Sequence, residues 1–118
     1  MVKVYGIPNC DIVKKATRWL VKNKISFELH DYKKSGINKQ KLSSWIKSVG
    51  WESIFNKRSS TWRALHTDTG INVGDEQGAV DILTAHTSII KRPIVEVGKE
   101  LIIGFDEQEY VAKILNKS

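Results

Sequence analysis

The one cysteine of this 118-residue chain stands in YGIPNCDIVKKA, residues 5–16, where a short apolar run turns through Pro8 and Asn9 into a pattern of helical period. Two readings of Cys10 are open. Beside a helix start the thiol meets unpaired backbone N–H groups and the positive end of the helix dipole, and both favour the reactive thiolate. A free cysteine is equally a small hydrophobe that a fold can bury without using. The same turn could receive an anion on its N–H groups. However, GIPNCD has the glycine spacing of neither a P-loop nor a dinucleotide fingerprint, and it lacks the two-glycine phosphate motif wanted in a phosphatase. Thiol chemistry therefore fits the stretch better than nucleotide binding. With one cysteine no internal disulfide can close, so any disulfide must be shared with another molecule.

Arg58 and Arg92 are the next candidates. A guanidinium can stabilise a nearby thiolate and hold an oxyanion or carboxylate with two parallel hydrogen bonds. Spacing alone does not bring either residue to Cys10, and solvated surface charge explains both as well. Arg92 is the more informative of the two, because it directly precedes Pro93 where the chain enters the apolar run IVEV. A proline at a strand start leaves neighbouring backbone groups unpaired and able to receive an extended ligand. His30, His66 and His86 have no ligand-like spacing and no second cysteine to complete a zinc site, so no metal is expected. Asp75, Glu76, Asp106, Glu107 and Glu109 fall at helix starts, where capping accounts for them. Trp19, Trp45, Trp51 and Trp62 read as packing residues rather than a base-stacking platform.

The elements that must position these residues follow from periodicity. VKVYGI predicts a strand at 2–6, and Ile12, Val13, Ala16, Trp19 and Leu20 recur at helical spacing, giving a helix from about Cys10 to Asn23 with Asn9 as cap. ISFELHDY, residues 25–32, predicts a second strand, and strand, helix, strand implies a parallel βαβ unit. Leu42, Trp45, Ile46 and Val49 predict a second helix capped by Asn38 and stopped by Gly50. WESIF suggests one helical turn, and NKRSSTWRAL is left irregular. TDTGINVGDEQ reads as a loop leading to a helix near 76–87. IVEV, Gly98-Lys99 and ELIIGF predict a tight hairpin. Asp106 and Glu109 then form a capping-box pair before a terminal helix carrying Tyr110, Val111, Ile114 and Leu115.

Composition is that of a globular chain, 41% hydrophobic and 27% charged, and the length suits one domain. No apolar run approaches a membrane span and MVKVYGI lacks the pattern of a signal peptide, so a cytoplasmic location is expected; a lone thiol agrees with a reducing compartment. The net charge is +6, but the cations are dispersed: Lys14, Lys15, Arg18, Lys22 and Lys24 belong to one helix's solvated face. Direct nucleic-acid binding is disfavoured, while attraction to small acidic partners survives.

Taken together, YGIPNCDIVKKA, FELHDYKKSGI, IFNKRSSTWR and IIKRPIVEV resemble the arsenate reductase (ArsC/Spx) family of the thioredoxin-like superfamily, over essentially the whole chain. The resemblance implies an α/β fold with a thioredoxin-like, or glutaredoxin-like, mixed four-stranded sheet. It implies one domain over 1–118 with a helical insertion at about 36–88. Cys10 would be the nucleophile, Pro93 a cis proline facing it, and Arg58 and Arg92 the oxyanion-binding arginines around the thiol. Two departures matter. The third arginine of the arsenate reductases is missing from LIIGF, residues 101–105, which argues against arsenate as substrate. Val13 stands where the Spx-type regulators carry the second cysteine of their redox switch, which excludes that switch. What remains is similar to the bacterial branch associated with glutathione-dependent thiol reduction: glutathione as cosubstrate, no metal or nucleotide, and Asn9 and Asp11 shaping the pocket beside Cys10. The alternative is a non-enzymatic Spx-like module docking on a protein partner such as RNA polymerase, for which Trp62, Arg63 and the exposed cations could provide contacts.

Overall fold

The computed structural model describes residues 2–116. Strand β1 (Val2–Gly6) leads into helix α1 (Asp11–Lys22) and returns to β2 (Phe27–Asp31). The two strands pair in parallel, with Val4 opposite Leu29 and Gly6 opposite Asp31, as a crossover helix requires. Late in the chain, β3 (Ile94–Val97) and β4 (Glu100–Ile103) form an antiparallel hairpin with Val97 opposite Glu100. Gly98 takes φ 61° at its turn, a conformation glycine adopts without steric cost. β3 also pairs antiparallel with β1, so the sheet is mixed, in the order β2-β1-β3-β4. This is the four-stranded α/β arrangement expected.

Alternation decides what the sheet buries. Val2, Val4, Val95, Val97 and Ile102 share one face and pack with Ala16, Trp19 and Leu20 of α1 and with Tyr110. Trp19 and Tyr110 meet edge to face at 5.3 Å between ring centroids. The Tyr110 hydroxyl donates to the Gly104 carbonyl at 2.7 Å, which satisfies its polar end inside the core. On the opposite face of β1 and β3, Ile94 is fully buried and the Tyr5 hydroxyl donates to Glu96 Oε1 at 3.0 Å.

The chain divides into two compact units. The sheet-bearing unit runs up to Ser35 and resumes at Arg92, and the helical unit is Gly36–Lys91. Within the helical unit, α3 (Lys39–Val49) begins at Asn38, whose side chain accepts from the N–H groups of Gln40 and Lys41, and ends at Gly50. The short α4 (Trp51–Ile54) follows. The segment left irregular in the sequence forms α5 (Ser60–Thr69), capped by Ser59 and closed by Gly70 at φ 70°. The structure places α6 at Glu76–Ala85, capped by Asp75, and a 3₁₀ turn at Thr87–Ile89. An aromatic ladder links Trp51, Phe55 and Trp62 edge to face.

Three expectations need correction. α1 starts one residue later than predicted and Cys10, not Asn9, is its N-cap residue. β2 stops at Asp31, because the Asp31 carboxylate accepts from the N–H groups of Lys33 and Lys34 and turns the chain into a one-turn helix, α2 (Tyr32–Ser35). At the last helix, α7 (Glu107–Tyr110), Asp106 caps as expected, but Glu109 pairs with Lys113 at 2.9 Å instead of completing a capping box. A π-helical turn, Val111–Leu115, continues α7.

Candidate functional site

The parallel register brings the carboxyl ends of β1 and β2 to the same end of the sheet, the place where open α/β sheets expose their reactive loops. From β1 the chain turns tightly: the Cys10 N–H donates to the Ile7 carbonyl at 3.1 Å, and the Cys10 carbonyl accepts the Lys14 N–H at 2.9 Å. Cys10 has extended backbone (φ −107°, ψ 131°) and its side chain makes no capping hydrogen bond, so the thiol is not consumed in holding the helix. It is half-buried. Gly6 allows the close packing behind it. A Cβ there would lie 2.8 Å from Val13 Cγ2 and 3.8 Å from the Pro93 Cα, so the end of β1, the first turn of α1 and Pro93 meet where a side chain would intrude.

The Arg92–Pro93 peptide is cis. Pro93 is buried, and its carbonyl accepts the Gly104 N–H at 2.7 Å, tying it to the end of β4. Arg92 is half-buried. Tyr32 is fully buried. Burial pushes its pKa well above the ordinary tyrosine value; the Arg92 charge opposes this, and negative charge at Cys10 and Asp31 adds to it. Tyr32 therefore lies within electrostatic range of both Cys10 and Arg92. The sheet-bearing unit thus gathers a thiol, a guanidinium and a neutral phenol at one end.

Asn9 and Asp11 flank the thiol in sequence, and both side chains are exposed. Arg58 belongs to the helical unit, in the loop between α4 and α5. Its side chain is exposed, while its backbone N–H donates to Asn56 Oδ1 at 3.1 Å. It lines an open depression of about 410 Å³ with Glu52, Phe55, Asn56, Lys57 and Lys91. The residue that sequence reasoning missed is Tyr32, read there as the end of a strand. The available signal was the parallel βαβ pattern itself, because it places the residue after β2 beside the loop after β1.

A mixed four-stranded sheet carrying a single thiol at the turn from β1 into α1, with a cis proline opening β3, defines a thioredoxin-like protein. Residues 5–113 match the model of the ArsC family, and the chain belongs to that family. The solved structure of the YFFB (PA3664) protein superposes with a TM-score of 0.88 and 35% identity, over 97% of this chain and 99% of the other. An arsenate reductase (ArsC) related protein from Brucella melitensis superposes with a TM-score of 0.72 and 37% identity, over 94% and 92%. The chain is also 31% identical to the global transcriptional regulator Spx of Streptococcus pyogenes serotype M6, over 92% of this chain and 81% of that protein. No helix among the described residues is long and apolar enough to cross a membrane.

Proposed function

We propose that the chain is a glutathione-dependent thiol–disulfide reductase in which Cys10 is the sole nucleophile. The observation that carries this reading is a half-buried thiol, free of any capping hydrogen bond, at the start of α1, where the end of β1 packs close to the cis proline that opens β3.

The Cys10 thiolate attacks one sulfur of a substrate disulfide, the S–S bond breaks, and the other half leaves as a thiolate that takes up a proton. The chain has no second cysteine to resolve the resulting mixed disulfide. Glutathione therefore does so: one glutathione thiolate attacks the substrate-side sulfur and frees Cys10, Cys10 then takes the glutathionyl group from the substrate–glutathione disulfide as the substrate thiol leaves, and a second glutathione attacks the glutathione sulfur of the Cys10 adduct to release oxidised glutathione and the Cys10 thiolate. The balance is one disulfide plus two glutathione giving two thiols plus oxidised glutathione. Arg92 supplies positive charge where thiolate is consumed and regenerated, and it suits a cosubstrate that bears two carboxylates and one ammonium group. In this reading Arg58 attracts the same anionic ligands, Asn9 and Asp11 border the entrance, and Pro93 presents backbone to the peptide part of glutathione. Arsenate reduction is not proposed. The LIIGF stretch offers no arginine, and Ile102 and Phe105 within it pack into or against the sheet core.

The test is turnover of a small glutathione mixed disulfide with glutathione as reductant. The wild-type chain should accumulate oxidised glutathione catalytically, and Cys10→Ser should return the rate to background. Equal rates in both proteins would sink the proposal.

The relationship to the Spx regulator favours a second reading, a module that docks on a protein partner such as RNA polymerase, with Cys10 structural or modified as a sensor. A partner held equally by wild type and Cys10→Ser, together with absent turnover, would select it.

A further inference from the structure

The two edges of the sheet are finished differently. At β4, one end of the strand order, Lys113 Nζ donates to the Leu101 carbonyl at 3.5 Å, so a lysine from the π-helical turn lies on that edge. At β2, the other end, the sequence is FELHD, with none of the lysine, proline or glycine by which proteins guard an edge. Its register against β1 runs unbroken from Phe27 to Asp31. Glu28 is exposed, Leu29 is 41% exposed, and among the described residues no strand pairs with the outer side of β2. An edge of this kind accepts a further strand. We infer that this strand is β2 of a second copy of the chain, running antiparallel about a two-fold axis at Leu29, so that two sheets join edge to edge. The inference does not depend on the chemistry at Cys10.

Residue pairing selects the occupant and the register. Directly opposed residues of an antiparallel pair share a face of the sheet. With Leu29 on the axis, it meets the second copy's Leu29, and on the other face each Glu28 meets the other copy's His30. An imidazole N–H donates to a carboxylate in either protonation state of the ring. Other registers lose this match. A one-residue slip sets Glu28 against Leu29, and centring on Glu28 brings two carboxylates face to face, which is destabilising. Centring on His30 sets Leu29 against Asp31. β2 is therefore complementary to itself in one register, as a closed two-fold interface requires. There is also room for the second strand's side chains: an open depression of about 420 Å³ is lined by Lys3, Tyr5, Glu28, Leu29 and His30. Lys3 and Tyr5 are the register partners of Glu28 and His30, so all four share the face on which the charged pairs form. The His30 ring lies 5.2 Å from that of Tyr5, which keeps it on that face. Five residues per strand make a contact at the low end of specific interfaces, below about 1,200 Å², so the dimer forms and dissociates with concentration.

The experiment is sedimentation equilibrium of the full chain from about 10 µM to about 1 mM, the range in which a contact of this size associates. Salt is held at about 0.15 M, where the +6 charges of two copies are screened beyond about 8 Å. The weight-average mass is expected to rise with concentration from that of one chain toward that of two. Leu29→Lys sets like charges together on the axis and should weaken association roughly tenfold or more. Glu28→Lys removes the acceptor and His30→Glu sets acid against acid, so each alone should stay a single chain. Mixed in equal amounts, these two variants oppose the substituted lysine to the substituted glutamate and keep one native Glu28–His30 pair, so the mass should rise again. That mixture decides the matter even if Leu29→Lys fails to fold. A single-chain mass for the wild type over the whole range overturns the inference, as does growth beyond two chains. So does wild-type association in a folded Leu29→Lys, or a mixture no heavier than its components.

Discussion

Arg92 and Arg58 are the same chemical group in opposite surroundings. Arg92, at the entry to β3, is half-buried and leads into a buried cis proline. Arg58, in the α4–α5 loop of the helical unit, is exposed beside Lys57 and Lys91 on an open depression. A half-buried guanidinium is less screened by solvent. One on a solvated loop contributes a diffuse attraction that salt removes within a Debye length of about 10 Å at 0.1 M. In the proposed mechanism the difference separates a residue that serves the thiol from one that gathers ligands.

The largest expected effect comes from breaking the half-buried side. In the proposed mechanism Arg92→Ala removes the charge beside the reacting thiolate, an interaction of about 1.5–3 kcal/mol where a charged group is hydrogen-bonded. If that stabilisation belongs to the reacting thiolate, exchange slows by roughly ten- to hundredfold. Single-turnover kinetics with a glutathione mixed disulfide check this, and an effect under twofold would dissolve the contrast between the arginines. Next comes the frame beneath the thiol. Gly6→Ala places a methyl 2.8 Å from Val13 Cγ2, and such overpacking costs about 1–3 kcal/mol. The measurement is a lowered urea midpoint with unchanged slope. A neutral Gly6→Ala would mean that Val13 simply moves aside.

Arg58→Ala should cost less, roughly two- to fivefold in apparent affinity for an anionic thiol at low salt, as for exposed charges generally. The loss should vanish at high ionic strength; a salt-independent loss would put Arg58 on the same footing as Arg92. The smallest effect is on alkaline stability. The folded-state pKa values of Tyr32 and Tyr110 are raised, chiefly by burial, so the folded state holds those protons more tightly than the unfolded chain. Their contribution is fully present below the ordinary tyrosine pKa of about 10 and declines as pH rises above it. Denaturation midpoints at pH 9 and above pH 10 check the decline, and Tyr32→Phe should shallow it.

The sheet was legible in the sequence because each strand alternates or runs apolar over a short span and each turn carries its own marker, such as Gly98 in the hairpin and Asn38 before α3. α5 was hidden because STWRALHTDT buries Trp62 alone against one side, so no apolar stripe announces it. Cys10 and Arg92 were visible by residue type and by what flanks them. Tyr32 was not: its position depends on the parallel register of β1 and β2, which no local pattern encodes. Val13 illustrates the converse. Read only as a missing second cysteine, it is in the structure a fully packed residue, 1% exposed, that fills the space over Gly6.

The central claim is that Cys10 accepts one half of a disulfide and surrenders it to external glutathione. Intact-mass spectrometry tests this most directly: the chain is exposed to oxidised glutathione, desalted, and then given glutathione. The account predicts a single glutathionyl adduct, absent in Cys10→Ser, that disappears on adding glutathione with one equivalent of oxidised glutathione released. No adduct, or an adduct that persists in excess glutathione, would contradict it.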